Sequence, residues 1–407
     1  MSATSQATTA GDRGPMAARI AWSVVSQGLS SVTNFGLTAV LAVSVTTETL
    51  GRVAAVYSIY LLALTLSRAL TTDALVAATD GLHRIDLSWH WARRRIVALA
   101  AAASAVAVAV GLVVEVPAGV LAAVAAATPA LLLQDGMRNL AWANGRPAAA
   151  TALDGIWLAV SLLGLAVAMS GSTGLTATPI VLVWAAGGVA SWLVGRPLIE
   201  RPLRAELPTE FRPELARFRP LAYSQAVMAL AVNLGPVVVA LALGPTMAGI
   251  VKAALLPITP VLSLFAGLRV VTLPALRRAV DQGTAAGATS MLVAGSSLVA
   301  AIGGFVSIQV VRSLPVDQVG QSIAQVAPHL AWIGLLGIMY VASQQLADAT
   351  AIAGRHAVLG RRVFGVITEW GCLMVGASLG GIEGLVIGWV IGLGLATMAW
   401  LQPALQP

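Results

Sequence analysis

The chain alternates long apolar segments with short polar ones, and this alternation constrains its fold more than any other feature of the sequence. About twelve segments reach the length of roughly 20 residues that a helix needs to cross a bilayer. Hydrophobic residues make up 58% of the 407 residues, whereas charged residues make up only 10%. Because a water-soluble fold cannot bury so large an apolar fraction, the sequence predicts an all-α polytopic membrane protein.

The arginines lie mostly in alternate gaps between these segments. Loops rich in Lys and Arg stay in the cytoplasm, so these gaps and both chain termini are predicted to be cytoplasmic. The opposite gaps are short and hold only Arg52 and Arg312; we call their side the predicted outer end. The predominance of arginine over the single lysine, Lys252, is typical of a GC-rich bacterium, and the plasma (inner) membrane is the expected location. The arginine-rich gaps are residues 84–95, 146, 201–219, 277–278 and 355–362.

The net charge of +7 is accounted for by these cytoplasmic loops and by their attraction to the anionic lipids of the inner leaflet. Nucleic acid is therefore not an expected partner, whereas membrane lipid is. The single cysteine, Cys372, lies within an apolar segment, so the chain forms no intramolecular disulfide.

One polar gap is much longer than the others and divides the apolar segments into two groups of six. This gap, residues 196–220, alternates Arg with Glu and contains several prolines, which is typical of a solvated cytoplasmic linker. We therefore predict a cytoplasmic tail at residues 1–19, an N-terminal six-helix bundle at 20–195 and a C-terminal six-helix bundle at 221–407. The tail lacks the apolar core and cleavage site of a signal peptide.

A weak internal repeat relates the two groups of segments. A parallel duplication of this kind arranges the halves about an axis along the membrane normal and places a substrate cavity at their interface. The sequence therefore predicts two pseudo-symmetric six-helix bundles around a central cavity. The matching pairs are Ser26–Gln27 with Ser224–Gln225 and Gly51 with Gly249, at an offset of 198, and Ala143–Arg146 with Ile352–Arg355, at an offset of 209.

Ionisable and amide side chains inside the apolar segments are the candidate functional residues. A charge in hydrocarbon costs several kcal/mol unless it is paired or faces water. Apart from Lys252, the charged residues fall in the cytoplasmic halves of their segments, which predicts a water-filled vestibule open to the cytoplasm. Asp135 and Arg138, three residues apart, also suit a structural ion pair. We assign substrate-binding roles to Arg68, Arg138, Lys252 and Arg269, and cavity or coupling roles to Gln27, Asn34, Asp73, Asp135, Asp154, Gln225, Asn233, Asp348 and Glu369.

Two of these arginines, Arg68 and Arg269, occupy nearly equivalent positions in the second segment of each half. The repeat aligns Arg269 one turn beyond Arg68 on the same helix face, so the two cations are expected to face each other across the pseudo-twofold axis. A guanidinium in a low-dielectric cavity suits a phosphate or pyrophosphate, which its planar fork binds through two hydrogen bonds. We therefore expect an anionic headgroup to bind between them.

Two segments differ from plain apolar helices. Segment 1 carries a hydrophilic stripe between Ser23 and Asn34, of the kind that lines a cavity or joins helices. Segment 8 contains Pro257, Pro260 and Pro274, which predict a bend because each proline removes a backbone hydrogen-bond donor. A bent helix between the bundles is a candidate gate.

The sequence contains no recognisable enzyme motif. It has no Walker motif, no HExxH or Cys/His metal-ligand cluster and no nucleophile elbow. The predicted outer loops are too small for the acidic active site of a membrane glycosyltransferase. We therefore expect neither an enzyme nor a bound metal or cofactor, and transport would draw on an ion gradient, the membrane potential or the gradient of the substrate.

A set of residues in the N-terminal half forms a recognisable family pattern: Ser26–Gln27, Asn34–Phe35, Leu50–Gly51, Tyr57, Tyr60, Arg68 and Leu75, followed by Leu133–Asp135, Arg138, Ala143, Gly145–Pro147 and Asp154–Trp157. With these residues the N-terminal half resembles polysaccharide exporters and O-antigen flippases of the Wzx-like type, in the multidrug/oligosaccharidyl-lipid/polysaccharide (MOP) superfamily. The C-terminal half matches only the general plan of that superfamily.

This resemblance implies a flippase that moves a polyprenyl-pyrophosphate-linked oligosaccharide, a precursor of cell-surface polysaccharide, from the cytoplasmic to the outer leaflet by alternating access. It also implies a polysaccharide polymerase or glycosyltransferases as partners. Two alternatives remain. One is a cation-coupled exporter of small drugs or metabolites, in which a carboxylate such as Asp73 or Glu369 binds H⁺ or Na⁺. The other is a non-transporting scaffold for glycan assembly.

Overall fold

The structure is a computed structural model, and all of the regular structure that it describes is helical. The described residues are 16–72, 89–143, 146–170, 175–199, 219–313, 320–352 and 358–405. The helices are α1 Met16–Ser44, α2 Thr47–Ser67, α3 Trp89–Val113, α4 Ala118–Ala143, α5 Pro147–Met169, α6 Ala177–Ile199, α7 Arg219–Leu243, α8 Pro245–Leu255, α9 Thr259–Asp281, α10 Ala285–Ser313, α11 Gln321–Val326, α12 Leu330–Ile352 and α13 Val358–Leu405.

The described helices form twelve segments, which we call passes and whose number matches the prediction. Eight helical stretches are long and apolar enough to cross a membrane by length and composition alone. One of them, α13, turns back on itself at Gly380 and Gly381, where Gly381 adopts a φ of 58°. A left-handed turn of this kind favours glycine. We call residues 358–379 and 382–405 the first and second arms of α13.

Two passes consist of helices joined end to end. The eighth pass comprises α8 and α9, which are separated at Leu256–Ile258 around Pro257, as the prolines of the sequence predicted. In the tenth, α11 leads through a 3₁₀ turn, Ala327–His329, into α12. The second pass, α2, ends in a π-helical turn, Arg68–Thr72.

The helices pack as two bundles, which we call the N bundle (α1–α6) and the C bundle (α7–α13). Within the N bundle, α6 packs against α4 and α5, and α3 packs against α4. Within the C bundle, α12 packs against α10 and α13, and α13 also packs against α7. The bundles meet along α2, which packs against α7 and α8, and along α1, which packs against α9. The predicted linker at 196–220 begins within α6, and residues 200–218 lie outside the described part of the chain.

The crossing of α2 and α8 brings together the two glycines that the repeat had paired. A Cβ atom on Gly51 would overlap the carbonyl oxygen of Pro245, and one on Gly249 would overlap the carbonyl oxygen of Thr47. Each glycine therefore lets its own helix approach the backbone of the other. Reciprocal contacts of equivalent residues are what a pseudo-twofold axis between the bundles requires.

A second contact closes the same end of the molecule. The Ser322 hydroxyl of α11 donates a hydrogen bond to the Thr47 Oγ1 atom across 3.1 Å, and Ser322 is fully buried. A Cβ atom on Gly320 would overlap the carbonyl oxygen of Ala42 at the end of α1. The two bundles thus meet closely at the predicted outer end, through backbone contacts and one buried side-chain hydrogen bond.

The arginine predicted to lie at the outer end, Arg52, is neutralised locally. Its guanidinium lies 2.7 Å from a carboxylate oxygen of Glu48 and donates to the Glu115 carbonyl oxygen across 3.0 Å. This cation therefore has anionic partners of its own on that side of the protein.

Adding a side chain at the α2–α8 crossing is expected to open the predicted outer end. In Gly51→Ala the methyl group overlaps the Pro245 carbonyl oxygen, so the closed state loses stability relative to an open one. A loss of about 1.4 kcal/mol corresponds to a tenfold shift in population. With Cys372→Ser as the background, the rate at which an impermeant maleimide labels Ser322→Cys from outside the cell should rise about tenfold or more.

The matched control is Gly287→Ala, because a Cβ atom on Gly287 meets nothing within 4 Å. Equal labelling rates in the two alanine variants would contradict the role of this crossing as a closed gate.

Candidate functional site

A cavity of about 300 Å³ lies between the two bundles. Its walls come from α1 and α2 of the N bundle and from α7, α8, α9, α12 and α13 of the C bundle. The cavity is thus central, as the sequence predicted, and both halves contribute to it. The polar residues that define its chemistry are Asn34, Arg68, Asn233, Lys252, Tyr340 and Glu369.

Lys252 is a half-buried cation in the last turn of α8. The negative end of the helix dipole favours a cation at this position. Its Nζ atom lies 5.1 Å from the centroid of the Tyr57 ring on α2, a cation–π contact that joins the two bundles. Among the described residues, no carboxylate lies within ion-pair distance of Lys252. Its charge is therefore available to a ligand in the cavity.

Arg68 is the second cation of the cavity wall, and the N bundle fixes its position. Its Nε and Nη2 atoms donate to the two carboxylate oxygens of Asp135 across 2.9 and 2.6 Å. The Arg68 side chain remains 26% exposed, whereas that of Asp135 is 7% exposed. The bidentate pair holds the guanidinium plane while part of it still faces the cavity.

Asp135 also belongs to a buried polar network inside the N bundle, which we call the N cluster (Arg68, Asp135, Arg138, Asp154 and Ser26). Arg138 lies between the two carboxylates, with Nη2 2.9 Å from Asp135 Oδ1 and Nη1 3.5 Å from Asp154 Oδ2. The Ser26 hydroxyl donates to Asp154 across 2.5 Å. Two arginines and two aspartates neutralise one another here. This is the structural ion pair that the spacing of Asp135 and Arg138 allowed, and it places Arg138 inside the bundle.

The C bundle contains a corresponding network, the C cluster (Gln225, Gln344, Asp348 and Arg362). The Gln225 and Gln344 side-chain amides donate to Asp348 Oδ1 across 2.5 and 3.0 Å. Arg362 donates to the Gln344 amide oxygen across 3.2 Å, and its guanidinium lies 5.2 Å from the Trp400 ring centroid. The cluster joins α7 to α12 and α13.

The two clusters are related by the internal repeat. At the offset of 209, Asp135 corresponds to Gln344 and Asn139 corresponds to Asp348. In the N bundle the Asn139 amide donates to the Asp135 carboxylate across 3.1 Å, and in the C bundle the Gln344 amide donates to Asp348. Each half thus has a carboxylate and an amide one turn apart, in opposite order. Sequence reasoning missed this correspondence, although the offset contains it.

Glu369 is the buried carboxylate of the cavity and lies on the first arm of α13. It accepts a hydrogen bond from the Trp389 indole nitrogen across 2.8 Å and is 5% exposed. Among the described residues, no cation lies within ion-pair distance of it. The adjacent Tyr340 hydroxyl on α12 is buried and has no hydrogen-bond partner in the described part of the structure. Sequence reasoning identified Glu369 but neither of these two neighbours.

Asn34 is held by aromatic side chains of the N bundle. Its amide oxygen accepts hydrogen bonds from the Tyr57 hydroxyl, across 3.1 Å, and from the Trp184 indole, across 3.4 Å. On the other side of the interface, the Asn233 amide donates to the Ala229 carbonyl oxygen across 3.0 Å and to the Thr65 hydroxyl across 3.4 Å. Both amides therefore line the cavity in fixed positions.

The structure does not describe the side chains of the three remaining predicted site residues. Asp73 lies outside the described residues, and so do the side chains of Gln27 and Arg269. The expected facing pair of Arg68 and Arg269 stays a prediction. Within the described ranges, no three His, Cys, Asp or Glu side chains come together as a metal-ligand set.

No protein-family model and no curated protein matches the sequence. Solved structures do match the fold. One is a MOP superfamily transporter from Pyrococcus furiosus Vc1, for which a reverse polarity of the binding pocket suggests a different function; the TM-score is 0.68 at 16% identity over 96% of each chain.

Two multidrug resistance MATE family transporters of the MOP superfamily are also similar. The outward-facing one has a TM-score of 0.64 at 14% identity over 96% of each chain. The inward-facing one has a TM-score of 0.62 at 15% identity over 92% of this chain and 93% of that chain. At these identities the likeness establishes the fold alone, which is that of MATE family transporters.

Removing one carboxylate of the N cluster is expected to destabilise the protein strongly. In Asp154→Asn the Ser26 contact survives but Arg138 must share Asp135 with Arg68, which leaves a buried positive charge without compensation. Breaking a buried ion pair in this way costs about 3–5 kcal/mol. Thermal unfolding of the purified protein in detergent micelles should show a correspondingly large fall in midpoint.

Glu48→Gln provides the comparison, since it removes a carboxylate that pairs with Arg52 at an exposed site. Such pairs contribute about 1 kcal/mol or less. Similar losses in the two variants would show that the N cluster does not stabilise the bundle.

Proposed function

We propose that the protein is a transporter that works by alternating access and holds the anionic part of its substrate in the central cavity. The observation that carries this proposal is Lys252, a cation that lines the cavity and has no carboxylate partner among the described residues. A charge that is withdrawn from water without a counter-charge is unfavourable, so the presence of this half-buried cation favours an anionic ligand.

The position of the cations at the bundle interface supports a transport role. Arg68 lies on the N bundle and Lys252 on the C bundle, and both line the cavity between the bundles. An anion bound to both contacts two bodies that must move relative to each other. The likeness of the fold to one inward-facing and one outward-facing transporter is consistent with such movement.

The substrate class that we propose first is a polyprenyl-pyrophosphate-linked oligosaccharide, flipped from the cytoplasmic to the outer leaflet. Its pyrophosphate would bind Arg68 and Lys252, while the polyprenyl tail stays in lipid. A cavity of about 300 Å³ is at the small end of ligand pockets. In this conformation it suits the pyrophosphate and the sugar next to it rather than a long oligosaccharide.

A second candidate is a cation-coupled exporter of small drugs or metabolites. The observation that favours it is Glu369, a buried carboxylate at the cavity without a described ion-pair partner, since such a group is suited to bind H⁺ or Na⁺. The description of two of the similar structures as multidrug resistance transporters is in keeping with this candidate.

Deletion of the gene separates the two candidates. A flippase handles an intermediate that cannot cross the bilayer unaided, so its loss should cause one polyprenyl-linked sugar species to accumulate. Mass spectrometry of lipid extracts from the deletion strain measures this directly. An unchanged lipid profile, together with raised sensitivity to small toxic compounds, would contradict the flippase proposal and favour the exporter.

Substitution of Lys252 tests the anion-binding role. Lys252→Met keeps the length of the side chain and removes its charge, so the anionic headgroup loses a charge-assisted hydrogen bond that contributes about 1.5–3 kcal/mol. We expect glycan export in the complemented deletion strain to fall roughly 10- to 100-fold.

Lys252→Arg retains the charge and should retain most of the export. Lys252 is a cleaner test than Arg68, because Arg68→Ala would also leave Asp135 without its bidentate partner. Full export by Lys252→Met would overturn the proposed headgroup site.

A further inference from the structure

The part of the cavity wall that α12 and α13 of the C bundle form carries one acidic and several aromatic side chains. It consists of Tyr340 on α12 and of Glu369, Trp370 and Trp389 on the two arms of α13, and we call it the acidic aromatic wall. The Trp370 and Trp389 ring centroids lie 6.3 Å apart. The wall thus presents one carboxylate, one hydroxyl and the surfaces of three aromatic rings.

Two groups in this wall lack a partner among the described residues: one lacks an ion-pair partner and the other lacks a hydrogen-bond partner. Glu369 receives one hydrogen bond, from Trp389, and has no ion-pair partner in the described part of the chain. The Tyr340 hydroxyl is buried without a partner, in a residue that is only 8% exposed. Buried polar groups in native proteins are nearly always satisfied. An unpartnered hydroxyl beside a carboxylate without a described ion-pair partner indicates a ligand that supplies a positive charge and a hydrogen-bonding group.

The described cations nearest to this wall form no ion pair with Glu369, although Arg362 interacts with it electrostatically at longer range. Lys252 contacts the Tyr57 ring of the N bundle. Arg362, two turns before Glu369 on the same arm, is held by Gln344 and lies against the Trp400 ring. Helix α7 packs against both α2 and α13, so it lies between the helix that carries Arg68 and the arm that carries Glu369. The cavity therefore has a cationic wall and an acidic aromatic wall.

We propose that the acidic aromatic wall binds a protonated amino group attached to a ring of the transported substrate. The inference rests on the proposed function, since it concerns the part of the substrate next to the anionic headgroup. The Glu369 carboxylate supplies the counter-charge. The Trp faces attract an ammonium group through their π-electrons and pack against the ring that bears it, and Tyr340 supplies a hydroxyl for hydrogen bonding.

The shared chemistry of an ammonium group on a small ring or apolar body fits two sources. One is an amino sugar of a lipid-linked glycan, whose pyrophosphate occupies the cationic wall at the same time. The other is a free organic ammonium compound, the substrate class of an exporter. An inorganic cation such as Na⁺ takes several oxygen ligands, whereas this wall offers one carboxylate and one hydroxyl and otherwise aromatic surface.

Titration calorimetry on the full-length protein in detergent micelles at pH 7 tests this proposal with simple probes. Glucosamine and glucose share a ring and differ at one position, where glucosamine carries an ammonium group. We expect glucosamine to bind at least about tenfold more tightly than glucose. Glu369→Gln, which preserves shape and removes the charge, should abolish this preference.

Tyr340→Phe is the second variant. Because the Tyr340 hydroxyl has no partner in the described structure, its removal breaks no described hydrogen bond and should leave the fold intact. We expect glucosamine to bind this variant several-fold more weakly. It therefore tests the wall even if Glu369→Gln fails to fold.

Inorganic pyrophosphate distinguishes failure of this proposal from failure of the proposed function. Lys252→Met should lose pyrophosphate binding and keep the glucosamine preference. Pyrophosphate binding that depends on Lys252, without any glucosamine preference in the wild type, would overturn only the acidic aromatic wall. A glucosamine preference without pyrophosphate binding would uphold the wall and overturn the anion site.

Two further probes identify the source of the ammonium group. Tetramethylammonium binding as tight as that of glucosamine, with the same dependence on Glu369, would support the wall and assign it to free organic ammonium compounds. Na⁺ binding that depends on Glu369, with no binding of either ammonium probe, would overturn the proposal in favour of an ion-coupling site.

Discussion

Hydrocarbon offers a charged group neither a hydrogen-bond partner nor much dielectric screening, so each intramembrane charge in this protein must find a counter-charge or a wet surface. Inside the N bundle, Arg138 lies between Asp135 and Asp154, and the charges cancel. Inside the C bundle, two glutamine amides and Asp348 form the corresponding network. These clusters tie together helices that are distant in sequence, so we expect each bundle to behave as a rigid unit. In the proposed transport cycle, movement would then be confined to the interface between the bundles, which is where the cavity lies.

The interface itself is closed at the predicted outer end by close contacts between backbones. Gly51 and Gly249 let α2 and α8 touch, and Gly320 lets the start of α11 touch the end of α1. Contacts of this kind depend on the absence of a Cβ atom and bury few polar groups. They can separate without exposing an unpaired charge to lipid. The N and C clusters cannot separate in this way, because separation would leave their charges without partners. This difference in energetic cost favours rocking of the bundles over rearrangement within them.

Much of this architecture was predictable from the sequence, because the bilayer imposes a simple rule of length and polarity on each segment. The twelve passes, the break at Pro257 and the pairing of Asp135 with Arg138 follow from local spacing. The contact between Glu369 and Trp389 could not be predicted from local spacing. Trp389 lies on the second arm of α13, and the contact depends on the turn at Gly380–Gly381. Arg68 was predicted to bind an anionic headgroup, and nothing in the sequence indicated that Asp135 on another helix holds its guanidinium. Contacts between helices require the packing register, which the hydropathy pattern does not specify.

The cavity is lined by polar side chains that neighbouring helices hold and by two charged side chains without a described ion-pair partner. Asn34 and Asn233 are held by neighbouring helices, and Arg68 is held by Asp135. Lys252 and Glu369 are charges of opposite sign that line the same cavity, and neither has a described ion-pair partner. If they were close enough to pair, they would neutralise each other and close the cavity. Their separation keeps it open and polarised, so a substrate with an anionic end and a cationic ring satisfies both walls at once. Such a substrate would supply, in the bound state, the kind of compensation that the bundles provide for the charges of the N and C clusters.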